Sequence, residues 1–406
     1  MNIALITIGN ELLSGFTVNT NAAWIGNHIL QVGGNIVWHQ TIGDNKEEIH
    51  SSLNQVSNDI RAVIITGGLG PTHDDITAIA LYEYTGDSPI FDEDYWQSLQ
   101  KRLTKRNLKL PEINRNQAMK PQKGNCIPNP VGSARGLHFK MNDKEIFVLP
   151  GVPREMKAMM TSSVLPWIKG HSSGGMTVIT IRTTGIMESG LAEKLSEIID
   201  ALIDNIKIAF LPQFTGVDIR VSGMDKSAVE QKVDEISIQV DKYIYGHDTD
   251  RLEDIIGQML NVKNLTLATA ESCTGGLVGH RLTNVPGSSD YFLGGIISYS
   301  NDVKQNNLGV AKSTLEKHGA VSGETAAEMA ENVRLKLGSD LGLAITGIAG
   351  PDGGTDEKPV GLTYIALADG KETRVKEFRF LSDRKLNKNA SSQTALNLIR
   401  IYLLNE

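Results

Sequence analysis

Cysteine, aromatic residues and long apolar runs are all scarce in this chain, and each shortage excludes a class of protein. Cys126 and Cys273 are its two cysteines; that is too few for a disulfide framework and lacks metal-cluster spacing, so a reducing compartment is expected. No run of 18 apolar residues occurs, which argues against a membrane span or membrane partner. The start, MNIALITIGNELLSG, lacks the basic segment and small-residue cleavage site of a secretory signal. It reads as a first β-strand, and the cytoplasm is the expected location. Positive charge is also short: the formal net charge is -7 at pH 7, so a broad phosphate-backbone footprint, and with it a nucleic-acid partner, is not expected.

What is present is a chain of 406 residues, longer than one hydrophobic core supports, so more than one domain is expected. The first part alternates strand-like and helical runs: NIALITIG, NAAWIGNHIL, NIVWHQTIG, a polar helix over 45–58, RAVIITGG, then KEIFVLPG and a helix from Pro153. Such alternation implies βαβ units and a parallel sheet. Residues 176–245 read as βαββα, with the last helix running to KYI and a polar turn, GHDTDR, after it. No GXXG loop joins two helices there, so the module reads as a packing or dimerisation unit rather than an RNA reader. The expected fold class is α/β: two layered α/β domains, 1–169 and 252–406, joined by a small α+β domain over 176–245.

The stretch ATAESCTGGLVGHRL, residues 268–282, places Ser272, Cys273 and Thr274 between an apolar strand and a helix. A helix start offers backbone N–H groups and a positive dipole end to an anion or a developing oxyanion, and Gly275 and Gly276 allow close approach. Read alone, the cluster is better explained as a helix cap by Ser272 or Thr274. Two further strand ends add weight, because YSNDVKQN supplies Tyr299 and Lys304, and LGLAIT runs into the glycine-rich GIAGPDGGTDEKPVG. Open α/β sheets form their ligand crevices at such ends. A lysine serves as a serine's base once its pKa falls by roughly two to three units from ~10.4, so a tight, partly dry site is expected. Tyr299 could relay or orient the proton. Cys273 and Thr274 are the rival nucleophiles; no histidine stands beside the thiol, the nearest being His280 two turns along the helix, so Ser272 is preferred.

ESCTGG, YSN with its lysine, GAVSGETAAEMA and ITGIAGPDGG occur in that order, and together they resemble the CinA C-terminal family over essentially all of 252–406. The resemblance implies a nicotinamide mononucleotide deamidase with Ser272 as nucleophile, Lys304 as general base, Tyr299 assisting, ammonia as leaving group and no cofactor. It further implies oxyanion and phosphate contacts from Cys273, Thr274, Gly275 and Gly276 and from Thr346 and Gly347. Arg384 is a candidate phosphate partner, with a solvated arginine at a helix start as the alternative.

In AVIITGGLGPTHDDIT, residues 62–77, a buried strand is followed by Gly67, Gly68 and Gly70, then Thr72, Asp74 and Asp75. Glycines between strand and helix cradle phosphates on backbone N–H groups, and carboxylates there suit a hard divalent cation; a capped helix is the simpler alternative. With IGNELLSG, TIGD, NPVGSARG and LPGVPREM, this run resembles the MoaB and MogA molybdopterin-binding fold, and more closely the CinA N-terminal domain. That resemblance implies metal-dependent hydrolysis of ADP-ribose: Asp44, Asp74 and Asp75 as metal or catalytic carboxylates, Glu11 and Glu155 as weaker candidates, Gly67 to Thr72 as the phosphate cradle. His73 reads as a surface residue. The whole chain is then expected to be a bifunctional pyridine-nucleotide hydrolase and a homodimer. The alternatives are a non-enzymatic competence or DNA-processing factor, and a pterin nucleotidyltransferase in the N-terminal domain.

Overall fold

The computed structural model describes residues 1–105, 111–172, 174–202, 205–380 and 383–405. It divides into two compact units, Met1–Thr177 and Val178–Glu406.

In the first unit a six-stranded sheet runs in the order Asn35–Ile42, Asn2–Ile8, Ala62–Thr66, Lys144–Leu149, Gly136–Met141, Asn125–Ile127. The first four strands are parallel and the last two antiparallel. The opening strand is apolar from Ile3 to Ile6 and again at Ile8 because both of its faces are covered. Ile3 and Leu5 join a core with helices Thr20–Gln31 and Pro153–Met159, while Ala4, Ile6 and Ile8 join a second with helices Lys46–Gln55 and Thr77–Thr85. From Asn2–Ile8 the chain steps to one side for Asn35–Ile42 and then to the other for Ala62–Thr66. The loops after Ile8 and Thr66 therefore part at a topological switch point, where such sheets bind ligands. The helix expected from Pro153 is interrupted by a π-helical turn, Met160–Val164. Pro166 has no N–H to continue the α ladder back to Ser162, and the widened turn falls at that place.

The second unit carries two sheets. The smaller has the order Ile206–Gln213, Gly216–Gly223, Thr177–Thr183, Ile244–His247. Its last strand was not expected: the helix Lys226–Val240 stops early, a 3-10 turn Asp241–Tyr243 follows, and Ile244 pairs antiparallel with Thr183. The larger has the order Phe292–Ile297, Leu267–Glu271, Leu341–Gly347, Leu362–Ala368, Thr373–Arg379. Its first three strands are parallel. Leu252–Lys263 and the final helix, Arg384–Asn405, cover one face, and Gly323–Leu337 covers the other. Here too the first strand, Leu267–Glu271, lies between its two successors, so its C-terminal end is a switch point. Among the described residues no helix is long and apolar enough to cross a membrane.

Candidate functional site

Strand register brings three hydroxyl residues into one row. Glu271 lies opposite Ile297 on one side and Ile345 on the other, so the next residues, Ser272, Ser298 and Thr346, stand at adjacent strand ends. All three are buried. Ser300 then caps the helix Asn301–Asn306 by accepting from the Val303 N–H, and the turn of that helix directs Lys304 back to the row. The Lys304 side chain is buried at 1% exposure, with Nζ 3.0 Å from Ser272 Oγ and donating to the Ser298 carbonyl at 2.7 Å. Burial disfavours its charge and pulls its pKa below the ordinary lysine range. An amine held against a serine hydroxyl, with burial biasing it toward the neutral form, is the arrangement that general-base activation needs.

The rival nucleophiles are differently placed. Cys273 packs in the hydrophobic core, and burial, aided by the nearby Glu271 charge, pushes its thiol up to about 12. It stays protonated at neutral pH, and a protonated thiol is a poor nucleophile. Thr274 is fully buried, and its hydroxyl has no partner among the described residues.

Three expectations and one alternative need correction. Tyr299 is largely exposed, and its hydroxyl accepts from Arg384 Nη2 at 2.7 Å rather than touching Ser272 or Lys304. Arg384 is therefore not a free solvated side chain; its Nη1 also donates to the Gly350 carbonyl at 2.7 Å. Of the amides expected to meet an anion at 273–276, Gly276 gives its N–H to the Glu271 carboxylate, which also accepts from Val278 and Gly279, and Gly275 gives its own to the Ser272 carbonyl. Thr346 donates its hydroxyl to the Ala320 carbonyl at 2.7 Å, and Gly347 is in the strand, opposite Thr363. Both thus frame the site by tying the strand to its neighbours. Beside the serine turn lies a cavity of about 660 Å³ lined by Leu277, Pro351, Arg384, Lys385 and Lys388 among others. Sequence reading missed Lys385 and Lys388; their signal was RKLNK at the start of the last helix, three cations at i, i+1 and i+4.

At the switch point of the first unit a cavity of about 580 Å³ is lined by Glu11, Asp44, Asp74, Asp75 and Glu155 with Gly67, Gly68 and Gly70. Gly67 is required because a Cβ would meet the Ile8 carbonyl at 2.1 Å. Asp44 accepts from the Asn10 N–H at 3.0 Å; burial first, then the charges of Glu11, Asp75 and Asp74, raise its pKa. Glu155 accepts from Asn129 Nδ2 at 2.6 Å, and Asp74 lies 3.0 Å from His73 at the surface. Part of the expected phosphate cradle is already used. Gly67 donates its N–H to Leu149, and Thr72 gives both its N–H and its hydroxyl to Asp75. The all-oxygen donor set suits a hard cation, yet among the described residues no three carboxylates are grouped to hold one ion. A cage made of protein ligands alone does not fit.

Fold and sites define a class: paired α/β domains with ligand sites at the switch points, linked by a small α+β sheet. Known families match the three parts in order. A "Probable molybdopterin binding domain" matches residues 4–170, a "Damage-inducible protein CinA KH domain" residues 179–246 and a "CinA C-terminal domain" residues 249–403. A putative competence-damage inducible protein of Halothermothrix orenii is 43% identical, covering 98% of each chain. A CinA-like protein of Salinibacter ruber is 40% identical over 98% of this chain and 99% of its own. Among solved structures, the competence/damage inducible protein CihA of Agrobacterium tumefaciens is 36% identical over 39% of this chain and 98% of that one, with a TM-score of 0.36. The chain belongs to the CinA family.

Proposed function

We propose that the second unit hydrolyses the carboxamide of nicotinamide mononucleotide to nicotinate mononucleotide and ammonia. The observation that carries the reading is the buried Lys304 amine 3.0 Å from Ser272 Oγ, with no carboxylate among the described residues accepting from it. Ser272 Oγ attacks the carboxamide carbon while its proton passes to Lys304. Lys304 returns that proton to the departing amine, which leaves as ammonia and gives a Ser272 ester. A water molecule deprotonated by Lys304 then attacks the ester carbon, the bond to Ser272 Oγ breaks as Lys304 returns the proton to that oxygen, and the carboxylate product leaves. The amides of Cys273 and Thr274, which Glu271 does not take, are the proposed oxyanion donors. Arg384, Lys385 and Lys388 supply a cationic wall for the phosphate, with Tyr299 orienting Arg384.

For the first unit the carboxylate-lined cavity beside the glycine loop supports ADP-ribose as substrate, cleaved to AMP and ribose 5-phosphate. A divalent ion there would be shared by one or two carboxylates and the substrate's own phosphates, neutralising their charge. Asp44, with its raised pKa, is the proposed proton-handling group among the five. One experiment separates the two activities. The full chain, given each substrate with divalent ions, should release ammonia from one and AMP from the other. Ser272→Ala should lower ammonia release about 10³-fold or more and leave AMP release intact; full ammonia release by that variant contradicts the reading.

A further inference from the structure

Glu271 ends the strand that presents Ser272, and its side chain is buried at 2% exposure. Its Oε2 accepts from the N–H groups of Gly276 at 2.9 Å and Val278 at 3.1 Å, and its Oε1 from Gly279 at 2.8 Å. The residue before the nucleophile thus grips the first turn of the helix after it. The turn between is closed from inside, since Gly275 donates its N–H to the Ser272 carbonyl at 3.1 Å. Gly276 makes the clasp possible: its φ of +91° lies in the left-handed region that other residues avoid.

The main chain of Glu271 serves the other half of the pair. Its carbonyl accepts from the Ser298 N–H at 2.8 Å, and the Ser298 carbonyl is where Lys304 Nζ lands at 2.7 Å. One residue holds the nucleophile's turn with its carboxylate and the lysine's acceptor with its backbone. Three backbone N–H groups satisfy the Glu271 carboxylate without a cation. Among the described residues Lys304 Nζ is left to Ser272 and Ser298, and no carboxylate accepts from it.

We infer that Glu271 is the positioning residue of this centre: its carboxylate fixes the Ser272 turn within reach of Lys304 and fills the helix N-terminus, so that the substrate's oxyanion is met elsewhere. The inference rests on the reading of Ser272 as an activated nucleophile. A displacement of about 1 Å in such a pair costs on the order of 10²-fold in rate.

The test uses the full chain with Glu271→Gln and Glu271→Asp. The amide brings donors toward donors, and the shorter acid cannot span the turn. Two readouts are compared: labelling of Ser272 by a fluorophosphonate, followed by peptide mass, and ammonia release from nicotinamide mononucleotide. Both variants should label at least tenfold more slowly and lose kcat at least tenfold, with KM within threefold and the pH at half-maximal rate unmoved. Labelling at the wild-type rate overturns the positioning role alone, as does a shifted pH profile, which makes Glu271 act through the charge of Lys304. Wild type that labels but releases no ammonia overturns the substrate and leaves the positioning role standing on the labelling rates. Wild type unlabelled at Ser272 overturns both. Amide hydrogen exchange of unsubstituted protein covers variants that do not fold: slow exchange at Gly276, Val278 and Gly279 is expected, and rapid exchange at all three removes the clasp.

Discussion

Lys304 concentrates the chemistry because a buried amine is cheaper to keep neutral than charged. This fixes a pH dependence of stability. Its folded pKa is lowered, so between that value and the ~10.4 of an unfolded lysine the unfolded chain holds a proton that the folded chain lacks. Stability therefore rises with pH across that window. In Lys304→Met this contribution is absent, so the variant should be the more stable protein near neutrality, with its advantage shrinking toward pH ~10.4. Urea melts of both proteins across pH check this; parallel curves contradict a lowered lysine. Cys273→Ala should keep deamidase activity within about threefold while costing on the order of 1 kcal/mol for the lost packing. A loss of 10³-fold in that variant makes the thiol the nucleophile after all.

At the scale of elements, both candidate sites lie at the C-terminal ends of strands, which was legible in the sequence; that each first strand has its successors on opposite sides is shown by the strand order alone. YSNDVK could be set beside ESCTGG because both follow apolar strands, and the register confirms adjacency at Ser298 and Ser272. Other features were illegible for physical reasons. The strand Ile244–His247 depends on a partner 61 residues earlier, Thr183, so no local pattern announces it. Tyr299 looked like a proton relay because its true partner, Arg384, is 85 residues away. Glu271 was in plain view within ESCTGG, but its role lies in backbone N–H groups that carry no sequence signal. GAVSGETAAEMA reads as a frame once folded: Ser322 caps Gly323–Leu337, while Lys358 donates to the carbonyls of His318 and Val321 at 2.7 Å. A testable element-level contact is Arg400, buried in the final helix, which donates to the Ile244 and Lys242 carbonyls at 2.8 and 2.7 Å. Arg400→Met leaves both carbonyls unpaired and should cost about 2–4 kcal/mol, read by chemical denaturation. A change below about 0.5 kcal/mol contradicts a structural role for this contact.

For the whole molecule, an overall charge of -7 means that the two anionic nucleotides proposed as substrates would need cations placed locally. Arg384, Lys385 and Lys388 stand beside the serine turn, while in the proposed reaction of the first unit a divalent ion shared with the substrate would neutralise the phosphates. Whatever the substrate, the proposed chemistry requires that Ser272 become acylated with Lys304 taking its proton. The most direct measurement is mass spectrometry of peptides from enzyme quenched in acid during turnover of nicotinamide mononucleotide. An acyl adduct is expected on the peptide bearing Ser272, lost in Ser272→Ala and strongly reduced in Lys304→Met. An adduct on Cys273, or full ammonia release from Ser272→Ala, contradicts the proposed chemistry.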